Sequence, residues 1–495
     1  MDCRSTTPPP PYSIFTITQK RIIVCLISFA ATFSPLSSFI YFPAIGALSR
    51  SLDVSIGRIN LTVTSYLIVA GLAPCVLGDL ADNTGRRAVY ILMMTIYCIA
   101  NIGLALQSNW AALLILRMVQ SAGSAATIAL GYSLYGVVSD IVAPSERGGY
   151  VSGLVLGPNI ATAIGPIVGG ALTSYPGWRW IFWLLSILSG TCLFLLVMLL
   201  PETARLVVGN GSVQVSGIHP TVLSHFQTPR LPPSSEIAVV TEAGFTMSQE
   251  DNTKKHFRVP NPLRSWKLLW ARDTALITLI FGVFYMNLSS LQASLSTLFI
   301  NLYGITEIQA GLIYLPSGIG SCAGAYGAGA VLDHDYRTTA RKHDMIPDAR
   351  AENDISGFPI EKARFRSIWY FIGAAAVSVI GYGWALDFKV HIAIPLSLQF
   401  IIGLSTAVIF NMCGTLLVDV HPHSSSAAQA ANSLVRAFLA GGGTAIVQTL
   451  LDSIGVGWTF TLFGTICLGC VGFAWFEWKY GKIWRDDIER NGGKR

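Results

Sequence analysis

The chain has 495 residues, 52% of them apolar and 12% charged, with a mean hydropathy of +0.54 and a formal net charge of +6. A soluble domain carries roughly 25% charged residues, so a soluble multidomain enzyme is excluded. The apolar residues gather in runs of about twenty along nearly the whole length, each able to cross about 30 Å of hydrocarbon, which excludes a single-anchor protein.

Met1–Arg21 is polar and carries Pro8–Pro11. The first apolar run is long and lacks a small-residue cleavage site, so it reads as a retained first helix rather than a leader. Twelve spans follow. Six run near Ile22–Ala47, Ile59–Gly78, Ala88–Gln107, Ala111–Val138, Gly148–Leu172 and Trp180–Leu200. Six more run near Thr274–Leu302, Ile308–Leu332, Ser367–Leu386, Ile392–Val418, Ser425–Leu451 and Trp458–Phe476. The expected fold is an all-α membrane protein of twelve transmembrane helices in two pseudo-symmetric six-helix bundles. Its parts are a tail (1–21), a first bundle (22–203), a linker (204–272), a second bundle (273–476) and a tail (477–495). The linker is too short and too polar for a catalytic domain.

Positive charge sorts by side. With both termini inside, 27 of the 33 Lys and Arg residues fall in the tails, the linker and the loops on the same side. Four (Arg50, Arg58, Arg179, Lys389) fall on the other side and two lie within spans. Such a bias places both ends and the linker in the cytosol.

The halves repeat one another. Gly78, Asp82 and Arg86 after the second span match Gly329, Asp333 and Arg337 after the eighth, at a constant offset of 251. Duplicated membrane halves with a site between them point to an alternating-access carrier. In the first copy Gly85 permits a tight bend, and Asp82 can meet Arg86 or Arg87. The element is either a loop that fixes orientation or a latch that differs between states, and its repetition favours the latch.

Around this turn, Gly78-Asp-Leu-Ala-Asp82-Asn-Thr-Gly85-Arg86-Arg87 resembles the signature of the major facilitator superfamily. The resemblance covers nearly the whole chain. Arg117-Met-Val-Gln120-Ser-Ala-Gly123 is similar to the arginine-bearing fourth-helix motif. Gly157-Pro158 with Gly165-Pro166-Ile-Val-Gly169-Gly170 resembles the fifth-helix motif of exporters, and Leu200-Pro-Glu-Thr203 closes the half. Phe33–Ser38, Tyr41-Phe-Pro43, Asp140, Glu146-Arg147 and Gly209–Gly211 are similar to fungal drug:proton antiporters, in the subgroup of quinidine-resistance, dityrosine and citrate exporters. The resemblance implies export across the plasma membrane, proton antiport and a gating role for Asp140, Glu146, Arg147, Gly165, Pro166 and Gly169. Two positions depart from the subgroup: Phe39 stands where Asn is common, and Ala70 where Gln is common. Facing a cavity, they imply a bulkier or more apolar ligand than a tricarboxylate; facing lipid or packing, they imply nothing.

Within the spans, Arg117 and Arg436 are the only deep charges, and no Asp or Glu lies at comparable depth. An intramembrane charge costs at least about 2.5–3.5 kcal/mol and therefore faces a cavity or a partner. Each arginine sits on a polar stripe at helical spacing, one with Gln120, Ser121 and Ser124, the other with Gln429, Asn432 and Ser433. Either could instead be satisfied by backbone carbonyls. The expected substrate contacts are Arg117, Gln120, Ser124, Asn159, Tyr285, Gln292, Asn411, Asn432 and Arg436, although such polar groups also join helices. Two cations with no deep acid favour an anionic or amphipathic small molecule. A polyamine or quaternary-cation carrier is expected to bury an acid. The glycine pairs Gly153/Gly157, Gly165/Gly169 and Gly320/Gly324 read as close-packing faces.

The leading expectation is a secondary exporter of an organic acid or amphipathic metabolite, a monomer in the lipid bilayer. The alternatives are a broad drug or polyamine antiporter associated with multidrug resistance, and a carrier-like receptor or sensor. No phosphate loop of the G-x-x-x-x-G-K-[ST] type occurs, so an ATP-driven pump is not expected. The single C-x-x-C pair, Cys467 and Cys470, has no second pair or nearby His and reads as apolar filler. No metal, cofactor, nucleic acid or enzymatic constellation is expected.

Overall fold

In the computed structural model, residues 13, 15–132, 137, 141–142, 147–203, 268–342, 358–421 and 425–492 are described. Side chains at 74–84, 126–132, 147–149, 151–156, 159, 307, 425–427 and 487–492 are not among the described parts. The calls on Asp140 and Glu146 lie outside the described residues, as does 204–267 of the linker.

The first helix, α1 (Ile17–Phe39), begins at a capping box: Thr16 Oγ1 accepts from the Gln19 N–H, and the Gln19 side chain accepts from the Thr16 N–H. A helix first turn leaves such donors open, which is why this pair fixes the start. Instead of running to Ala47, the segment breaks into a 3₁₀ turn (Phe42–Ala44) and α2 (Ile45–Leu52). Pro43 explains the break, because it has no N–H for a continuing α-helix. The chain goes on as α3 (Ile56–Thr84), α4 (Arg86–Leu106), α5 (Trp110–Tyr132), α6 (Arg147–Ser174) and α7 (Arg179–Leu199). After the linker come α8 (Arg272–Tyr303), α9 (Glu307–Leu312), α10 (Leu315–Lys342), α11 (Ile360–Arg364), α12 (Ile368–Asp387), α13 (Ala393–Val420) and α14 (Ser425–Gly492). The last is two helices in line, joined at Gly455, whose φ of 80° no helix continues through.

Counting α14 twice, twelve long helical segments stand among the described residues. Among the described residues, eight helical stretches are long and apolar enough to cross a membrane by length and composition. The helices α5, α6 and α10 carry many glycine, alanine and hydroxyl residues, which let backbones approach. This is an all-α membrane fold.

The helices pack in two groups. In one, α1 lies on α6, α3 on α5, and α4 on α5 and α7; in the other, α8 lies on α14, α10 on α13, and α12 on α13 and α14. Glycines make the tightest of these crossings. A Cβ on Gly157 would lie 2.8 Å from Ser28 O, and Gly324 packs on the Leu404 carbonyl. Gly165 and Gly169 pack against Phe39 and Ile40 at the end of α1. Gly157, Gly165, Gly169, Gly320 and Gly324 thus lie on close-packing faces, while Gly153 is outside the described side chains.

Short loops join successive helices at one end of the bundle, which we call the short-loop end. The start of α1, the end of α7, the start of α8, α11 and the end of α14 mark the other, the terminal end. From the short-loop end to mid-bundle the two groups touch. Phe42 and Tyr314 stack with ring centroids 6.3 Å apart and planes 7° from parallel. The Cβ position of Gly311 lies 2.7 Å from Pro166 O, and that of Gly318 lies 3.3 Å from Ala163 Cα. On the other flank, Thr64 Oγ1 donates to Gly441 O at 3.1 Å and meets Thr444 Oγ1 at 3.0 Å.

Candidate functional site

Arg117 is fully enclosed, with 1% of its surface exposed. Its guanidinium lies between the rings of Tyr41 and Tyr66, 4.2 Å and 4.3 Å from their centroids. It donates to Gln120 Oε1 at 2.6 Å and to Ser37 O at 3.2 Å. Gln120 passes the network on by donating to Asn101 Oδ1 at 2.7 Å, and Asn101 donates to Tyr97 O at 2.8 Å. Tyr97 shares a hydrogen bond with Ser37, and Tyr66 with Ser124. A desolvated cation over an aromatic face gains about 2 kcal/mol, so two rings and two acceptors compensate a buried charge that would otherwise be costly. The structure therefore sets Arg117, Gln120 and Ser124 together inside the first group of helices. Sequence periodicity cannot show this, because the enclosing rings come from the 3₁₀ entry and α3.

Arg436 has different surroundings. It is half-buried on α14, lies 4.9 Å over the Tyr285 ring, and has no ion pair among the described residues. Tyr285 in turn packs on Phe410, at 6.0 Å between centroids. One turn before Arg436, Asn432 is buried and its Oδ1 has no hydrogen-bond partner. On α8, Gln292 Oε1 and Ser290 Oγ are also buried without partners. Unpaired buried acceptors are uncommon in folded proteins. Asn432 lies one turn from Arg436, Gln292 shares the α8 face of Tyr285 two turns on, and Ser290 instead faces Gly443 of α14. Asn411 is exposed halfway along α13 and donates to Ala407 O within its own helix. Asn159 lies on α6, with its side chain outside the described parts.

The two copies of the repeated element differ in shape. In the first, α3 stops at Thr84, Gly85 turns the chain with φ at 101°, and α4 starts at Arg86. The open N–H groups of Arg86 and Arg87 donate to Glu202 Oε1 and Oε2 at 2.8 Å and 3.2 Å. A carboxylate at a helix N-terminus answers both the free donors and the helix dipole. Arg87 Nη2 also donates to Val197 O at 2.7 Å. Side chains of Gly78, Asp82 and Arg147 are not described. In the second copy α10 runs unbroken through Gly329, Asp333 and Arg337 to Lys342, and both charged residues are exposed without an ion pair among the described residues. The buried acid is Asp335, 1% exposed and 3.8 Å from Arg366 Nε. A matching spacing therefore does not give a matching turn, since α10 has no bend after Gly329. Glu202 and Asp335 are the site residues that sequence reasoning missed; the acid directly after Pro201 was the available signal for the first.

The model of the Major Facilitator Superfamily matches residues 27–444. The chain belongs to the major facilitator superfamily. It is 38% identical to Citrate exporter 1 of Aspergillus niger over 97% of its own length and 90% of the relative's. It is 34% identical to the MFS-type transporter phiD of Fungal sp., over 97% of this chain and 71% of that one. Among solved structures, the D-xylose-proton symporter superposes with a TM-score of 0.64 at 14% identity, covering 94% of this chain and 97% of that chain, a likeness of fold. The protein is a transporter of this superfamily and not an enzyme.

Proposed function

We propose that this transporter exports an organic acid or an acidic amphipathic metabolite from a fungal cell by alternating access. The observation that carries the reading is Arg436, half-buried over Tyr285 with no ion pair among the described residues, with unpartnered acceptors one turn away at Asn432 and two turns along α8 from Tyr285 at Gln292. An anionic cargo neutralises the arginine, and its hydroxyl groups can donate to those acceptors. An organic cation finds no deep acid to pair with, which disfavours the drug or polyamine reading. Arg117 contributes a fixed positive potential from behind Tyr41 and Tyr66 and holds the first group of helices in register.

The positive-inside bias assigns the terminal end to the cytosol and the short-loop end to the exterior. On that assignment the Phe42–Tyr314 stack and the Gly311–Pro166 approach close the outer side, the state in which an exporter loads cargo. Rocking of 22–203 against 273–476 then exposes the lining outward. Residence in the plasma membrane, a monomeric state and proton antiport belong to the same reading. Its support from relatives is the similarity to a citrate exporter and to fungal MFS-type transporters. The test is efflux from liposomes holding the purified chain, loaded in turn with a tricarboxylate, a monocarboxylate and a polyamine.

A further inference from the structure

The second group of helices holds a set of acids that transport of an anion does not require. At its terminal end Asp273 on α8, Glu361 on α11 and Glu477 on α14 are each 1% exposed or less. Neither carboxyl oxygen of Glu477 has a hydrogen-bond partner among the described residues. Glu361 stands beside it: Glu477 Oε1 and Glu361 Cγ each lie 2.8 Å from the place a Cβ on Gly481 would take. Asp273 is close enough for its charge to act on Glu477, and Cys413 of α13 is another near neighbour.

Among the described residues, the basic groups packed around this set engage Glu361, Asp273 or groups outside it, and none pairs with Glu477. Arg485 lies 3.4 Å from Glu361 Oε1 and donates to Phe358 O at 2.7 Å. Arg364 pairs with Asp419 at 2.8 Å, and Arg366 faces Asp335. His421 Nε2 sits 3.7 Å from Asp273 Oδ2 and 2.6 Å from Thr274 Oγ1. Lys362 lies over the Trp478 ring, while Lys482 and Asp486 act on Glu361. Burial pushes the Glu361 carboxyl up, and the charge of Arg485 draws it back.

The first half supplies the contrast. Glu202, which follows the last span of that half as Glu477 follows the last span of this one, is buried but accepts two backbone N–H groups at the start of α4. Glu477 has no such donors. A buried carboxylate without donors costs several kcal/mol as an ion, and the group takes up a proton instead.

We propose that this cluster is a proton-binding site in which Glu477 carries the proton, next to the Glu361–Arg485 pair, with its occupancy set by the pH at the terminal end of the bundle. The protonated acid lets α14 close on α11 and α8. The ionised acid meets the charges of Glu361 and Asp273 and loosens that packing. The inference does not depend on the identity of the cargo.

The experiment is thermal unfolding of the purified full-length chain in lipid nanodiscs from about pH 6 to about pH 9, wild type against E477Q. An unfolded glutamate titrates near about 4.3, so a carboxyl kept protonated in the fold favours folding at low pH and withdraws that stability as pH rises. The wild-type melting temperature should fall several degrees across this range, and that of E477Q by less than half as much. Infrared spectra of the wild type near pH 7 should show a protonated-carboxyl C=O band that E477Q lacks. Parallel melting profiles, or a wild-type spectrum without that band, would overturn the proposal. So would an E477Q that does not fold, because glutamine is the neutral isostere.

Discussion

Replacing Arg436 separates a cargo contact from a structural one. Its guanidinium is half-buried over Tyr285 and meets no acid among the described residues, so nothing in the protein is left as an unpaired anion when it is removed. Two unit charges 4 Å apart at an effective dielectric of 20 attract by about 4 kcal/mol, and desolvation of the cargo anion takes back part of this. A net contribution of about 1.5–3 kcal/mol is usual for a hydrogen bond to a charged group. At 1.4 kcal/mol per decade, Arg436→Gln should weaken an anionic cargo about 10- to 150-fold. Arg436→Lys keeps the charge but not the planar stack on Tyr285, and should fall between the two. The assay is concentration-dependent efflux from liposomes, with protein abundance and melting temperature measured on the same samples. Abundance falling in step with transport, or a neutral cargo losing as much as an anion, would return Arg436 to a structural role.

Closure of the short-loop end and the anchoring of α4 can be tested in the same preparation. Gly311→Val places side-chain atoms against Pro166 O, where even a Cβ lies 2.7 Å away. Overpacking of this kind costs about 1–3 kcal/mol, and it should slow turnover while cysteine labelling at the short-loop end rises; unchanged labelling would show that the contact does not close that end. Glu202→Ala removes the acceptor for the Arg86 and Arg87 N–H groups and should lower stability by about 1.5–3 kcal/mol, with Glu202→Gln retaining part. An alanine variant that melts with the wild type would refute that anchoring role.

The sequence carried the fold because the signal is repeated: apolar runs of spanning length, basic residues on one side, and small residues at helix crossings are each read many times. It also singled out Arg436 as a lone cation in a span with asparagine one turn away, and the structure leaves it half-buried without an ion pair among the described residues. It did not carry the enclosure of Arg117. Gln120 and Ser124 share a stripe with it, but Tyr41 and Tyr66 close over it from other elements. The repeated Gly-Asp-Arg spacing led to Asp333, while α10 runs straight on and buries Asp335. The acids at 273, 361 and 477 sit at span ends roughly a hundred residues apart and meet only when α11 folds under α14. Local pattern reports which face of a helix is polar, but not what the neighbouring helix presents to it.

The central claim is that this chain moves an organic acid through a lining whose charge is Arg436. Efflux of a tricarboxylate from liposomes containing the purified transporter tests it most directly. The account predicts saturable efflux that other carboxylates inhibit, a polyamine does not, and Arg436→Gln reduces at least tenfold. Efflux of the polyamine with none of any carboxylate would contradict it.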